Sequence, residues 1–314
     1  MHYSVEIKNE APSDWNDFLL KSETGTIYNT VQYAEYAPVE GFKPKFVRLV
    51  DNSGNIALQN LLLEYHPGMN KIPRPFQKIY KKFRVISRWN YGPVTNMSEP
   101  ITAFFEHLKK TQNKIYGITH PFSEIGDVGF QKQRWGTFLI DLHKTKDKLF
   151  NNIEKNSGRK NIERSIERNV VIEELSEKSL DEYIDLFNKT KMSSGREETA
   201  IEDMFQCWRL LKPVGFSGFL AKRNDVPVGG LLFSFFNSYI NEWGVARSQA
   251  DYEEKLYSQD LIKWKIIEWG LEHKMKWYDL SGFNPEPINE KESGILRYKE
   301  KWGGKKYDQW IIKN

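Results

Sequence analysis

A strand-and-helix pattern that runs twice through the chain marks it as an α/β (α+β) protein made of two similar halves. Three observations carry this expectation. Two pairs of apolar, β-branched runs flank short polar turns. Phe46 to Val50 and Ile56 to Leu63 surround Asp51-Asn52-Ser53-Gly54, and Phe216 to Ala221 and Val228 to Phe236 surround Asn224-Asp225-Val226-Pro227. Each hairpin is followed by a third strand, then a helix, then a short strand. Trp89 and Trp243, 154 residues apart, each sit near a glycine at the end of that third strand. A repeat of about 160 residues is too long for a solenoid and suits two domains.

Taken in order, the first half holds the hairpin, a third strand at Val85 to Tyr91, a helix at Glu99 to Lys110 and a short strand at Ile115 to Thr119. The second half opens on a strand at Val170-Val171-Ile172 and helices at Leu180 to Thr190 and Ile201 to Leu211. Its hairpin leads to a third strand at Tyr239 to Ala246, a helix at Glu253 to His273 and a short strand at Trp277 to Leu280. A helix at Gly294 to Lys301 and a strand at Tyr307 to Ile312 end the chain. The expected domains are 1–145 and 146–304, with the strand in 305–314 returning to the first. At 100° per residue, Lys265, Glu268, Glu272 and Leu261 share one narrow wedge of the long helix. Ile262, Trp264, Ile266, Ile267, Trp269 and Leu271 cover most of the remaining arc, so the tryptophans are expected in the core.

The 314 residues are 39% hydrophobic and 14% aromatic, ample for a core. The longest apolar run, Val226 to Phe236, is too short to span a bilayer, and the N-terminus lacks a signal-peptide pattern. A single cysteine, Cys207, excludes an internal disulfide and fits a reducing compartment, so a cytoplasmic monomer is expected. The net charge of +4 is unevenly placed. No acid lies between Tyr65 and Ser98, whereas Lys71, Arg74, Lys78, Lys81, Lys82, Arg84 and Arg88 do. A second basic stretch carries Lys155, Arg159, Lys160, Arg164 and Arg168. Such tracts attract phosphates of a nucleotide, an RNA or an anionic membrane surface, or form solvated faces.

Much chemistry is excluded. His2, His66, His107, His120, His143 and His273 are scattered, and with one cysteine no zinc site can be written. Gly215-Phe216-Ser217-Gly218 lacks nucleophile-elbow spacing, and no phosphate-binding glycine motif occurs. The element order, with its central antiparallel hairpin, resembles the GCN5-related N-acetyltransferase (GNAT) plan, so two tandem GNAT-like (acyl-CoA N-acyltransferase-like) domains are expected. The coenzyme A version of that plan needs a glycine-rich loop after the third strand. Here that segment is Arg247-Ser248-Gln249-Ala250-Asp251-Tyr252, with no glycine and one acid, so coenzyme A is not the expected donor and no cofactor is implied.

The C-terminal stretch is the most specific. Tyr278-Asp279-Leu280-Ser281-Gly282 is followed by Gly294-Ile295-Leu296-Arg297-Tyr298-Lys299-Glu300-Lys301-Trp302-Gly303-Gly304. These segments resemble the Fem family, tandem GNAT-like enzymes that build peptidoglycan bridges from aminoacyl-tRNA. Tyr91-Gly92-Pro93-Val94, Thr137 to Leu142, Arg159 to Ser165 and Glu242-Trp243-Gly244 resemble further family segments in the same order. Three features depart from the family: Asn96 stands where members usually carry Asp, about 25 residues after Asp141 leave no room for a coiled-coil arm, and Tyr36-Ala37-Pro38-Val39 offers no lysine where several members carry one.

The resemblance implies transfer of an aminoacyl group from charged tRNA to a nucleotide- or lipid-linked peptide acceptor. It places the functional lysine at Lys299, whose ammonium would stabilise the oxyanion formed as an amine attacks an ester. It implies acceptor or substrate contacts at Tyr91, Asn96, Arg196, Trp243, Asp279 and Tyr298. Arg159, Lys160 and Arg164 would meet tRNA phosphates. Two alternatives stay open: an N-acyltransferase acting on another amine such as a sugar nucleotide, and a non-catalytic nucleic-acid-binding module.

Overall fold

The computed structural model describes residues 2–68, 85–111 and 114–314. The basic tract from Lys71 to Arg84 lies outside the described residues. Its last member, Arg88, is described and stands over the Phe42 ring at 5.1 Å.

The chain divides into two compact units, Met1–Gly136 with Asp308–Asn314, and Thr137–Tyr307. The division falls earlier than the 145/146 position expected from sequence. The boundary at Gly136/Thr137 falls within the span of β6 (Gln131–Asp141).

The first unit starts with β1 (Ser4–Lys8), α1 (Trp15–Leu20) and α2 (Val31–Tyr36), so it holds the leading elements that the sequence pattern had shown in the second half alone. β2 (Lys43–Val50) and β3 (Ile56–Tyr65) form the expected hairpin, and β4 (Ile86–Trp89) lies antiparallel to β3. The turn of the hairpin is held by the Asp51 carboxylate, which accepts the N–H groups of Ser53 and Asn55 at 2.9 Å each. α3 (Glu99–Thr111) buries Ile101, Phe104, Phe105 and Leu108, a spacing that puts all four on one helical face. β5 (Lys114–Ile118) then pairs parallel to β4, and β12 (Lys305–Lys313) pairs antiparallel to β5. These helices and strands enclose a core that includes Leu58, Leu62, Trp89, Phe104 and Ile312.

The second unit repeats the plan after two short helices, α4 (Lys146–Asn152) and α5 (Lys160–Glu167). β7 (Val171–Glu174), α6 (Leu180–Ser193) and α7 (Ile201–Gly215) precede the antiparallel run β8 (Phe216–Arg223), β9 (Val226–Phe236) and β10 (Tyr239–Arg247). Both hairpin turns place two consecutive residues at positive φ, Asn224-Asp225 and Asn237-Ser238, as two-residue hairpins of right-handed twist require. β11 (Trp277–Phe283) pairs parallel to β10, and α10 (Glu290–Glu300) follows, capped by the Asn289 side chain on Glu292 N.

One expected element is two. The helix foreseen from Glu253 to His273 divides into α8 (Gln249–Glu253) and α9 (Ser258–Glu272). Lys255 and Tyr257 adopt left-handed φ of 54° and 57° between them, and the Asp251 carboxylate receives Ser258 N at 2.8 Å, restarting the helix. Trp264 and Trp269 are in the core as expected. Leu261 is buried too, although it falls in the polar wedge, because α5 (Lys160–Glu167) packs against α9.

Candidate active site

The site grows from the end of the parallel pair in the second unit. Backbone pairing between β10 and β11 stops at Asn241 and Asp279, and β10 bulges between Glu242 and Val245. Beyond that point no backbone pair joins the two strands, and side chains replace the ladder. Ser281 donates its hydroxyl to Glu242 O at 3.0 Å across the gap.

Asp279 anchors this end of the ladder. It is fully buried, and a carboxylate in that position needs donors. Tyr239 Oη and Asn241 Nδ2 donate to Oδ2 at 2.7 and 3.2 Å, Ser281 N donates to Oδ1 at 2.7 Å, and the Thr137 hydroxyl donates to Oδ1 as well. The carboxylate therefore holds protein groups. The expectation that Asp279 contacts substrate is corrected: it braces the site from below.

Lys299 reaches the same place from α10. Its ammonium donates to the carbonyls of Ser281 at 2.7 Å and Gly282 at 2.8 Å. Two of its three N–H bonds are thus directed, and the third has no protein acceptor among the described residues. Burial lowers its pKa to about 8, opposed by the anionic Glu242 and Asp279 and reinforced by Lys263. At neutral pH most of the group stays charged, yet it gives up its proton far more readily than a solvated lysine.

Behind Lys299 lies a buried charged layer that sequence reasoning missed. Lys263 of α9 pairs with Glu242 of β10, their side chains 4% and 8% exposed. Glu242 also accepts the Tyr278 hydroxyl at 2.7 Å. Lys301 pairs with Asp260 at 2.5 Å, and Asn161 donates to the other Asp260 oxygen at 2.9 Å. Tyr298 turns into this layer, its ring 4.3 Å from the Lys301 ammonium and 5.6 Å from that of Lys263. Burial, then the nearby Asp260 and Glu242, push its hydroxyl pKa well above the ordinary range. The hydroxyl is buried within this layer, while the residue as a whole is half-buried. A signal for Lys263 did exist, because it lies opposite the polar wedge of the helix.

The other expected residues are more dispersed. Trp243 is half-buried and meets Phe216 edge-on at 5.0 Å. Arg196 is exposed in the link between α6 and α7, with Nε on Ser194 Oγ at 3.0 Å, and does not join the Lys299 cluster. Lys160 and Arg164 are exposed on α5, while Arg159 sits in the preceding π-turn and donates to Asn151 at 3.1 Å.

In the first unit, Tyr91 follows the β4/β5 pair. It is buried at φ 51° and stacks on Tyr28 at 5.3 Å. Asn96 is exposed, exchanges hydrogen bonds with Glu23 N and Lys21 O, and lines an open groove of about 930 Å³ with Thr95, Met97 and Ser123.

This arrangement has known counterparts. The chain shares the fold of FemX. The two structures align over 98% of this chain and 96% of FemX with a TM-score of 0.72 and 14% identity. L-PGS from Bacillus licheniformis aligns over 97% of this chain and 92% of its own, at TM-score 0.56 and 13% identity. A tandem GNAT protein from the clavulanic acid biosynthesis pathway aligns over 99% and 98%, at 0.54 and 10%. The chain therefore has the fold of a tandem GNAT protein. No family model and no curated protein sequence matches the chain. Identities this low establish the fold and leave the chemistry to the residues.

The GNAT fold raises the question of coenzyme A, whose pyrophosphate seeks N–H groups at a helix start. At the start of α9 that role is filled from within. Fully buried Asp251 accepts Ser258 N, and Arg247 pairs with the same carboxylate.

Among the described residues no helix is long and apolar enough to cross a membrane.

Proposed function

We propose that this chain is an aminoacyltransferase that carries an aminoacyl group from charged tRNA to an amine of a nucleotide- or lipid-linked cell-wall precursor peptide. The observation that carries this reading is the Lys299 ammonium, directed by the Ser281 and Gly282 carbonyls at the point where β10 and β11 part. Attack by the acceptor amine on the ester carbon forms a C–N bond and places negative charge on the carbonyl oxygen. The third N–H of Lys299 would stabilise that oxygen. Collapse breaks the C–O bond to the terminal ribose. The amine loses a proton, and the ribose oxygen gains one. A lysine with pKa about 8 is suited to deliver it and be recharged. Direct attack needs no covalent enzyme intermediate. The Asp251 carboxylate at the start of α9 supports a donor other than coenzyme A.

Tyr91 and Asn96 in the first unit, and Trp243 and Arg196 in the second, are proposed acceptor contacts. Lys160 and Arg164 are proposed phosphate contacts for the tRNA, with Arg159 bracing the turn before them.

The donor assignment is tested by giving the full chain and a peptide amine acceptor either charged tRNA or acetyl-CoA. Amide formation from charged tRNA, without thiol release from acetyl-CoA, is expected. Its rate should stop rising above pH of about 8, where Lys299 loses its charge. Acyl transfer from acetyl-CoA, with none from charged tRNA, would overturn the reading.

A further inference from the structure

Ser281, just before Gly282, carries an unusual burden. Ser281 adopts a left-handed φ of 64°, a conformation that L-residues other than Gly, Asn and Asp rarely hold. Such a conformation persists where its surroundings overdetermine it. Every polar group of Ser281 is engaged. Its N–H donates to Asp279 Oδ1 at 2.7 Å, its hydroxyl donates to Glu242 O at 3.0 Å, and its carbonyl accepts the Lys299 ammonium at 2.7 Å. The Thr137 hydroxyl sits between Asp279 Oδ1 and Ser281 O, the latter 3.0 Å away, and has one proton to share between them.

Thr137 comes from β6, Asp279 and Ser281 from β11, and Glu242 from β10, so three strands converge on one peptide group. The consequence appears one residue further on. With Ser281 turned into the left-handed region, its carbonyl and that of Gly282 both face Lys299, at 2.7 and 2.8 Å. In ordinary strand geometry successive carbonyls point to opposite sides and could not hold one ammonium together.

We infer that Thr137 and Asp279 are positioning residues for Lys299: by fixing the left-handed Ser281 they create a two-carbonyl cradle that aims the ammonium into the gap between β10 and β11. The role of Lys299 in transfer belongs to the function proposed above. The cradle itself is a statement about where its nitrogen is held. Asp279 acts twice, through the Ser281 N–H that it accepts and through its charge. The charged groups facing Lys299 are Glu242 from β10, Lys263 from α9 and Asp279 from β11, with Lys301 further along its own helix.

The test reads Lys299 directly and needs no substrate. Full-length protein is trace-labelled with acetic anhydride across pH, and modification of the Lys299 peptide is quantified by mass spectrometry. Wild type should show a reactivity midpoint at about 8. Thr137→Val removes the shared hydroxyl, loosens the cradle and withdraws an acceptor from the ammonium. Its midpoint should move down, while Thr137→Ser, which restores the hydroxyl, should titrate like wild type. Asp279→Asn neutralises an anion that favours the ammonium and should lower the midpoint by about one unit. If Asp279→Asn fails to fold, the Thr137 pair still decides. A folded Thr137→Val protein with the wild-type midpoint would overturn the inference. A shifted midpoint in a protein that transfers nothing from charged tRNA would uphold the cradle and sink the proposed function instead.

Discussion

The two units end their parallel strand pairs differently. In the first, the last registered pair is Trp89 opposite Gly117; in the second it is Asn241 opposite Asp279. The Trp89 indole lies so close over Gly117 that an added Cβ would stand 1.8 Å from its ring. Its Nε1 donates to Gly92 O at 3.0 Å, and Phe104 and Phe105 close around it. Nearby His120 is held neutral, since burial lowers its pKa to about 3. At the corresponding place the second unit holds Asp279, Glu242, Lys263 and Lys299. Buried charges are costly, and apolar residues of similar volume would hold two strands at least as well. One backbone plan thus serves packing in one unit and charge placement in the other, and the second is where chemistry is to be sought.

The comparison can be broken most directly at Asp279. Asp279→Ala leaves the Thr137, Tyr239, Asn241 and Ser281 donors facing a void. It should destabilise the protein by about 3–5 kcal/mol, the scale for losing one side of a buried charged network. Denaturant unfolding measures this, and a cost below about 1 kcal/mol would mean that the charged layer is not integral to its unit.

A smaller effect, visible in acid, belongs to His120. Its folded pKa of about 3 lies below the unfolded value, so the unfolded chain binds the extra proton. The resulting stability is present above pH of about 6.5 and drains away as pH falls toward the folded pKa. His120→Phe should cost about 1 kcal/mol at neutral pH through the lost hydrogen bond to Phe122 N. It should also unfold less steeply than wild type between about pH 6 and 4. Parallel acid slopes would show that this histidine does not remain neutral.

Periodicity exposed the hairpins, the third strands and the core tryptophans of α9, because those follow from local pattern and turn chemistry. It did not expose the break before α9. Glu254 to Tyr257 contains neither Gly nor Pro, and the left-handed Lys255 and Tyr257 are stabilised by a carboxylate earlier in the chain. The helix that carries Lys299 was legible through the motif around it. The inward turn of Tyr298 and the left-handed Ser281 were not, since both depend on partners contributed by other strands and helices. Lys263 was legible in principle, as a charge on the helix face opposite the solvent wedge. Such a residue is either an error of register or a paired buried cation, and the Glu242 pair identifies it as the latter.

Lys299→Met offers the most direct test of the reaction centre. Single-turnover transfer from charged tRNA to a saturating peptide amine should be compared in wild type and Lys299→Met, with thermal unfolding run alongside. Loss of the hydrogen bonds to Ser281 and Gly282 should lower the melting temperature, while transfer by the variant, measured where it is still folded, should slow by roughly 100-fold or more, the usual scale for removing one oxyanion stabiliser. Transfer at the wild-type rate in the folded variant would contradict the claim that the parted strands of the second unit are the reaction centre.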